Sequence, residues 1–256
     1  MTLVWVPSVS VTATDGFNGG YRRWRSSRVH AELIGDGLPA VVEPFSFVPL
    51  DGLQALAMLL GLAPGRTLVD LGCGRGGPGL WLSERTGARL VGIDGSAVAI
   101  ADALQRRPLF PHAVGARFHV ADVTDTRMPA SCADAVVAID VLQLLDEPAA
   151  MLQEAARLLR PCGRLALTTW EGLGDAPARF PRELPTMIED AGLIVDSCIE
   201  RPDWLSRQLS IYQRAAQAVK VAPADPAVRD LANEGRNWQA GRHHVRRVMV
   251  AAHLPE

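Results

Sequence analysis

A run of glycines and four aspartates are the residues of this chain whose types and spacing point to chemistry. The glycines fall in Val69-Asp70-Leu71-Gly72-Cys73-Gly74-Arg75-Gly76-Gly77-Pro78-Gly79. A backbone that turns sharply without a Cβ to shield it, and that leads into a helix with free N–H groups at its start, is a cradle for a nucleotide or nucleoside. Gly72-x-Gly74-x-x-Gly77 also satisfies the dinucleotide fingerprint, so the loop alone leaves the ligand open. The aspartates are Asp70, two positions before the first glycine, Asp94 in Gly92-Ile93-Asp94-Gly95-Ser96, Asp122 in Ala121-Asp122-Val123, and Asp140 in Ile139-Asp140-Val141-Leu142. A carboxylate of the Asp94 kind is suited to accept hydrogen bonds from ribose hydroxyls.

The elements that must position these residues alternate. Strand-forming runs occur at Thr67–Leu71, Arg89–Ile93, Ala116–Ala121, Ala135–Ile139 and Arg164–Thr169, and helical patterns at Pro78–Thr86, Ala97–Arg106, Pro148–Leu159 and Arg182–Ala191. Ser96 reads as an N-cap, Asp146-Glu147-Pro148 opens another helix, and Gly192 stops the helix before it. Such alternation predicts an α/β fold with a parallel sheet and helices on both faces. The aspartates then fall at the ends of successive strands, where sheets of this kind bind their ligands. Leu193–Cys198 reads as a sixth strand and His244–Ala252 as a seventh. Between them lies an insertion in which Asp225-Pro226 opens a helix that closes near Gly241. Ahead of the first strand come an irregular arm over residues 1–20, a helix from Tyr21 to about Ile34 with Tyr21, Trp24, Arg28 and Ala31 on one stripe, and an apolar helix from Leu50 to Leu62. The expected organisation is an N-terminal arm and cap helix over residues 1–49, a ligand-binding core over 50–202, a cap insertion over 203–242, and a last strand over 243–256 that completes the core sheet.

The bulk properties narrow the function. A formal charge of −2 in 256 residues gives no general pull toward nucleic acid or anionic membrane, so neither is an expected partner. The four cysteines lack C-x-x-C spacing, which argues against a disulfide framework and a zinc site and fits a reducing cytoplasm. The N-terminus lacks a basic segment and carries Pro7, unlike a secretory signal. No apolar run approaches the roughly 18 residues that would span a membrane.

Taken together, the glycine loop with Asp70, Asp94, Asp122 and Asp140 resembles the class I S-adenosylmethionine-dependent methyltransferases over about Leu50 to Leu193. The resemblance implies a Rossmann-like sheet of seven mostly parallel strands, the last antiparallel, with the N-terminal and late segments as a cap. It also implies roles. Gly72 and Gly74 would contact the methionine part of S-adenosylmethionine, with Asp70 at the same wall. Asp94 would take both ribose hydroxyls, with Gly95 and Ser96 beside it. Asp122 would bind the adenine amino group next to Val123, and Asp140 would line the sulfonium end. Tyr21 is the candidate aromatic lid. A nicotinamide-dependent oxidoreductase is the rival reading of the loop. With Lys220 as the sole lysine it has no Tyr-x-x-x-Lys pair. A methyltransferase-fold cyclase, or a cofactor binder without chemistry, is the third.

Residues just beyond the strands constrain the acceptor class. Ile139-Asp140-Val141-Leu142-Gln143 lacks the Asn/Asp-Pro-Pro-aromatic motif of enzymes that methylate exocyclic amines of bases or protein glutamines. Cys162 is preceded by Pro161 in a turn before the fifth strand, away from the place of a cytosine C5 nucleophile. Thr168-Thr169-Trp170-Glu171 does not supply a catechol-type metal site, so no metal is expected. The remaining possibility resembles the small-molecule, ubiquinone-biosynthesis-like branch that includes natural-product tailoring enzymes. Candidate general bases are Glu171, His30, His243 and His244, and Gln143 is a candidate substrate contact. Two arginine clusters fall in the cap: Arg22, Arg23, Arg25 and Arg28, then Arg236, Arg242, Arg246 and Arg247. Converging over the pocket with Trp24, they would favour an anionic acceptor. The oligomeric state is not legible.

Overall fold

A computed structural model describes residues 12–44, 46–178, 180–221 and 223–256, with the backbone alone at 12–15 and 239–242. Seven strands form one sheet: β1 (Thr67–Leu71), β2 (Arg89–Asp94), β3 (Arg117–Val120), β4 (Ala133–Ile139), β5 (Leu159–Gly172), β6 (Ile194–Glu200) and β7 (Val245–His253). Their order is β3-β2-β1-β4-β5-β7-β6. β1 pairs in parallel with both β2 and β4, whereas β7 runs antiparallel to its neighbours β5 and β6. Strand order therefore reverses between β1 and β4, and the carboxyl ends of these strands flank the crevice where open α/β sheets hold ligands.

Alternation of side chains along each strand divides the core into two layers. On one side Leu68 and Leu90 pack with Leu53 and Leu56 of α3 (Leu50–Leu59), Leu80 and Leu82 of α4 (Gly77–Thr86) and Ala103 of α5 (Ala97–Arg106). On the other side Val69, Leu71 and Val136 pack with Met151 and Leu152 of α6 (Pro148–Leu158) and Ile188 of α7 (Leu184–Asp190). Each fully buried leucine or valine contributes about 1.5–3 kcal/mol relative to exposure. The central strands are covered on both faces, as a parallel sheet requires.

Two N-terminal helices differ from the expected single one. α1 spans Thr12–Trp24 and α2 spans Arg28–Ile34, with the break at Ser27, whose hydroxyl accepts from the His30 N–H at 3.0 Å and so caps α2. The expected irregular arm is helical from Thr12 onward, and its earlier part lies outside the described residues. Gly16, Gly19 and Gly20 disfavour a helix locally. Tertiary bonds hold it nonetheless: Arg23 pairs with Asp230 at 2.8 Å and Ser96 donates to Asn18 at 2.6 Å.

The late segment holds α8 (Pro202–Val221), an element the sequence analysis does not predict, and α9 (Pro226–Gly241), opened as expected by Asp225, whose Oδ1 accepts from the N–H groups of Ala227 and Val228. Trp204, Gln208, Ile211, Tyr212 and Ala215 form the buried stripe of α8. A third apolar cluster joins Leu33 and Ile34 of α2 to Phe47, Trp170, Ile211, Tyr212, Leu231 and Trp238, binding the capping helices to the end of β5.

The connection between α2 and α3 lies directly on the glycine loop. A Cβ added at Gly77 would sit 1.6 Å from the Val42 carbonyl oxygen, a backbone atom with Val42 itself fully buried. Gly77→Ala is expected to force this strap off the helix and to lower stability by about 1–3 kcal/mol, read as a reduced urea midpoint at unchanged slope.

Candidate functional site

The loop after β1 runs through left-handed backbone at Gly72, Gly74 and Gly76, with φ of 72°, 51° and 76°. These conformations suit glycine and let the loop fold back on the end of β2, the Gly72 and Cys73 N–H groups donating to the Ile93 carbonyl at 2.8 and 2.9 Å. Asp94, at the end of β2, ties the loop to the next helix. Its Oδ2 accepts from the Gly74 N–H and its Oδ1 from the Ser96 N–H, both at 2.8 Å. Ser96 is the N-cap of α5, its hydroxyl accepting from the Ala99 N–H at 3.1 Å. One carboxylate thus joins the glycine loop to the N-cap of α5.

Gly72, Gly74, Asp94 and Ser96 line a cleft of about 540 Å³ together with Phe17, Tyr21, Glu43, Ser46, Asp70, Arg75, Asp122, Val123, Asp140, Val141 and Leu144. Its size suits a nucleoside-sized ligand. All ten residues expected to hold the cofactor, Tyr21, Asp70, Gly72, Gly74, Asp94, Gly95, Ser96, Asp122, Val123 and Asp140, are brought to this one cleft. Asp122 is organised locally, its Oδ1 accepting from the Thr124 N–H at 2.8 Å and from the Thr124 hydroxyl at 2.7 Å. Tyr21 is buried, and its hydroxyl would lie 3.0 Å from a Cβ on Gly74, so the α1 aromatic closes over the glycine loop.

Burial shapes the electrostatics. Desolvation, with the nearby Asp94 charge second, pushes the Asp70 carboxyl up to about 7. Asp94 is also raised by burial, opposed by its two backbone hydrogen bonds. Burial likewise holds the Tyr21 phenol well above its usual range, with Asp94 adding to the effect, so Tyr21 keeps its proton at neutral pH.

The remaining expected site residues fall elsewhere. Glu171 is buried away from the cleft, with Oε2 bound by Arg246 at 2.6 and 2.7 Å and Oε1 accepting from the Leu184 N–H at 2.9 Å. It caps α7 and anchors β7. His30 is buried behind Trp24, their rings stacked at 5.9 Å, and burial lowers its imidazole to about 4. His243 is exposed, and His244 pairs with Asp175 at 2.8 Å. Gln143 spends its amide inside the protein, donating to the Asp140 carbonyl at 2.6 Å and accepting from the Thr169 hydroxyl at 2.7 Å. Trp24 packs edge-on to Tyr21 and does not line the cleft.

Nor do the arginine clusters converge. Arg22 is exposed, Arg23 pairs with Asp230, Arg25 with Asp102, Arg28 with Glu32, and Arg236 bonds Asn233. The side chain of Arg242 lies outside the described residues. Local carboxylates compete successfully for these guanidinium groups, so the clusters disperse over the cap. Arg247 is the exception: it is fully buried and bridges both oxygens of Asp140 at 2.7 and 2.8 Å.

Sequence reasoning passed over Glu43, Ser46 and Arg75. Arg75 pairs with Glu43 at 3.1 Å and Asp102 at 3.2 Å, fastening the strap to the loop and α5. The available signal was Arg75's place inside the glycine run. Glu43 and Ser46 sit in a connection without periodicity, where no pattern marks them.

A protein-family model described as a methyltransferase domain matches residues 69–167. Over 147 residues the chain is 34% identical to trans-aconitate 2-methyltransferase of Delftia acidovorans, covering 56% of this chain and 53% of that protein. Curated relatives are matched over only part of their length, 26% of a phosphoethanolamine N-methyltransferase of Arabidopsis thaliana and 54% of a 2-methyl-6-phytyl-1,4-hydroquinone methyltransferase of Synechocystis. Among solved structures, a phosphoethanolamine N-methyltransferase 2 of Haemonchus contortus superposes with a TM-score of 0.74 at 18% identity, covering 96% of this chain and 58% of that one. The cyclase SpnF superposes at 0.69 and 21% identity, covering 79% of each chain. These two likenesses establish the fold.

The raised Asp70 carboxyl has a thermodynamic consequence in the ligand-free protein. Between the unfolded carboxyl value near 4 and the folded value of about 7 the native state binds the extra proton, so stability falls as pH rises through that window. Asp70→Asn should flatten this fall and be more stable than wild type at pH 7 by on the order of a few kcal/mol, measured by urea unfolding across pH 4 to 8. The stretch that carries the glycine loop and the strand-end aspartates on one crevice, residues 69–167, is the one similar to a methyltransferase domain.

Proposed function

We propose that the protein transfers a methyl group from S-adenosylmethionine to a small-molecule acceptor in the cytoplasm. The observation that carries this reading is Asp94 holding the glycine loop and the α5 cap at 2.8 Å each, at the switch point of the sheet. Donor types around the cleft fit the cofactor. Ser46 Oγ is a buried hydroxyl without a protein hydrogen-bond partner on the cleft wall, an orphan that a ligand's polar group would satisfy. Gly72, Gly74 and Asp70 would hold the methionine part, Asp94 with Gly95 and Ser96 the ribose, Asp122 and Val123 the adenine, and Tyr21 would cover it. Bound there, S-adenosylmethionine supplies an electrophilic methyl on a sulfonium. Asp140, Val141 and Leu144 would border that end.

The chain's own contribution is positioning in a closed, dry space. Tyr21 and Phe17 of α1 and the strap carrying Glu43 and Ser46 border the cleft and would shield a bound cofactor from water. Among the described residues the cleft lining includes no histidine, and Glu171, His30, His243 and His244 lie outside it. A carboxylate-oxygen acceptor, of the kind found in natural-product tailoring, needs no base, and an acceptor that must lose a proton would meet a carboxylate of the lining such as Asp70. The Delftia relative, a trans-aconitate methyltransferase by name, is in keeping with a carboxylate acceptor. The net charge of −2 and the dispersed arginines favour a small molecule over nucleic acid.

A cyclase is the second reading, favoured by the likeness to SpnF and by a cleft without an acid–base histidine, because a 4+2 cyclisation moves no proton. Release of S-adenosylhomocysteine with an acceptor present distinguishes methyl transfer from cyclisation.

Asp94→Ala removes both the ribose contact and the anchor of the loop, so S-adenosylmethionine affinity should fall by about 100-fold or more in calorimetry on folded protein. Unchanged affinity would refute the assignment. The sulfonium and amino charges of the ligand favour ionised Asp70, so affinity should rise as pH increases through about 7 in wild type and lose this dependence in Asp70→Asn.

A further inference from the structure

Arg247 stands on β7 with none of its surface exposed, and its surroundings explain how a cation tolerates that position. One Nη2 bridges the two oxygens of Asp140 at 2.7 and 2.8 Å. Nη1 donates to Gln208 Oε1 of α8 at 3.2 Å. The guanidinium lies 4.2 Å from the Trp170 ring centroid and 5.8 Å from that of Trp204, two buried indoles that add cation–π attraction. The polar chain continues into the cap: Gln208 Nε2 donates to the Tyr212 hydroxyl at 2.8 Å, and that hydroxyl donates to Glu234 of α9 at 2.8 Å.

Asp140 is the other end. It lines the cleft, directly follows β4, and holds φ at +58°, a left-handed conformation that is costly for a non-glycine residue. Its Oδ1 also accepts from the Thr168 hydroxyl at 2.8 Å and its Oδ2 from the Phe47 N–H at 3.3 Å, while its own N–H donates to the Thr168 carbonyl at 2.9 Å. Phe47 follows Ser46 on the strap. The carboxylate of Asp140 therefore gathers β5, β7 and the strap onto one point of the cleft wall.

We propose that Arg247 is the positioning residue of the cleft: by neutralising Asp140 it fixes the turn after β4 at the sulfonium end and links the capping helices α8 and α9 to the cofactor-binding wall. The inference rests on the cleft being the S-adenosylmethionine site. It goes beyond it in assigning a residue that does not line the cleft and in making Asp140 one half of an internally compensated pair.

The test is a cycle of Arg247→Met, Asp140→Asn and the double variant, each titrated with S-adenosylmethionine by calorimetry after a melting curve establishes folding. Either single variant leaves one buried charge without its partner and should lose affinity by on the order of tenfold or more. The double variant has neither charge and should bind at least about threefold more tightly than Arg247→Met. A residue that merely fills space would not be rescued by a change at its partner. Wild-type affinity in Arg247→Met, or a double variant no better than Arg247→Met, overturns the assignment. Should Arg247→Met not fold, a folded double variant that binds supports the proposal, and a double variant that also fails to fold overturns it. Wild type that does not bind S-adenosylmethionine overturns the cofactor reading, and the assignment with it.

Discussion

A guanidinium with no exposed surface cannot remain uncompensated in a protein interior, and Arg247 imposes that constraint on the middle of this molecule. Its partner must be a carboxylate within reach, which Asp140 supplies from the opposite side of β5 through the turn after β4. Thr168 and Phe47 complete the carboxylate's hydrogen bonds, and Gln143 takes the adjacent carbonyl. At Asp140 the wall of the switch-point crevice is thus a neutralised pair. The cap helices are registered to it by hydrogen bonds in addition to apolar contact.

The other aspartates face different circumstances. Asp94 spends both oxygens on backbone amides, which makes it a structural clamp and leaves its remaining lone pairs toward the cleft. Asp70 is buried without a cation beside it, and its raised value follows from desolvation. Asp122, at the open rim, is held by a local turn with Thr124. Four residues of one type along four strand ends thereby acquire four electrostatic characters, set by depth and partners rather than by residue identity.

Much of the core was legible before any coordinates. β1 through β5, the glycine loop, the N-cap at Ser96 and the strand-end aspartates follow from local periodicity and turn chemistry, which require only near neighbours. The cap was less legible. α1 contains glycines that local propensity penalises, and it is held by Asp230 and Ser96 from distant parts of the chain. α8 carries a readable stripe of Trp204, Ile211, Tyr212 and Ala215, yet Gln208 within it is polar because it meets Arg247, a contact separated by 39 positions.

What the sequence determined by itself is the cradle: glycines whose backbone must turn, aspartates spaced one per strand end, and an alternation that brings them to one edge of a sheet. Only the tertiary structure decided which side chains in the capping segments reach that cradle. Glu171 and Arg246 find each other at 2.6 Å and leave the site, most of the described cap arginines meet local carboxylates, and Arg247 turns inward to Asp140. Residues 246 and 247 are adjacent and chemically identical. In a strand covered on both faces, neighbours point to opposite layers, and what waits in each layer comes from other parts of the chain.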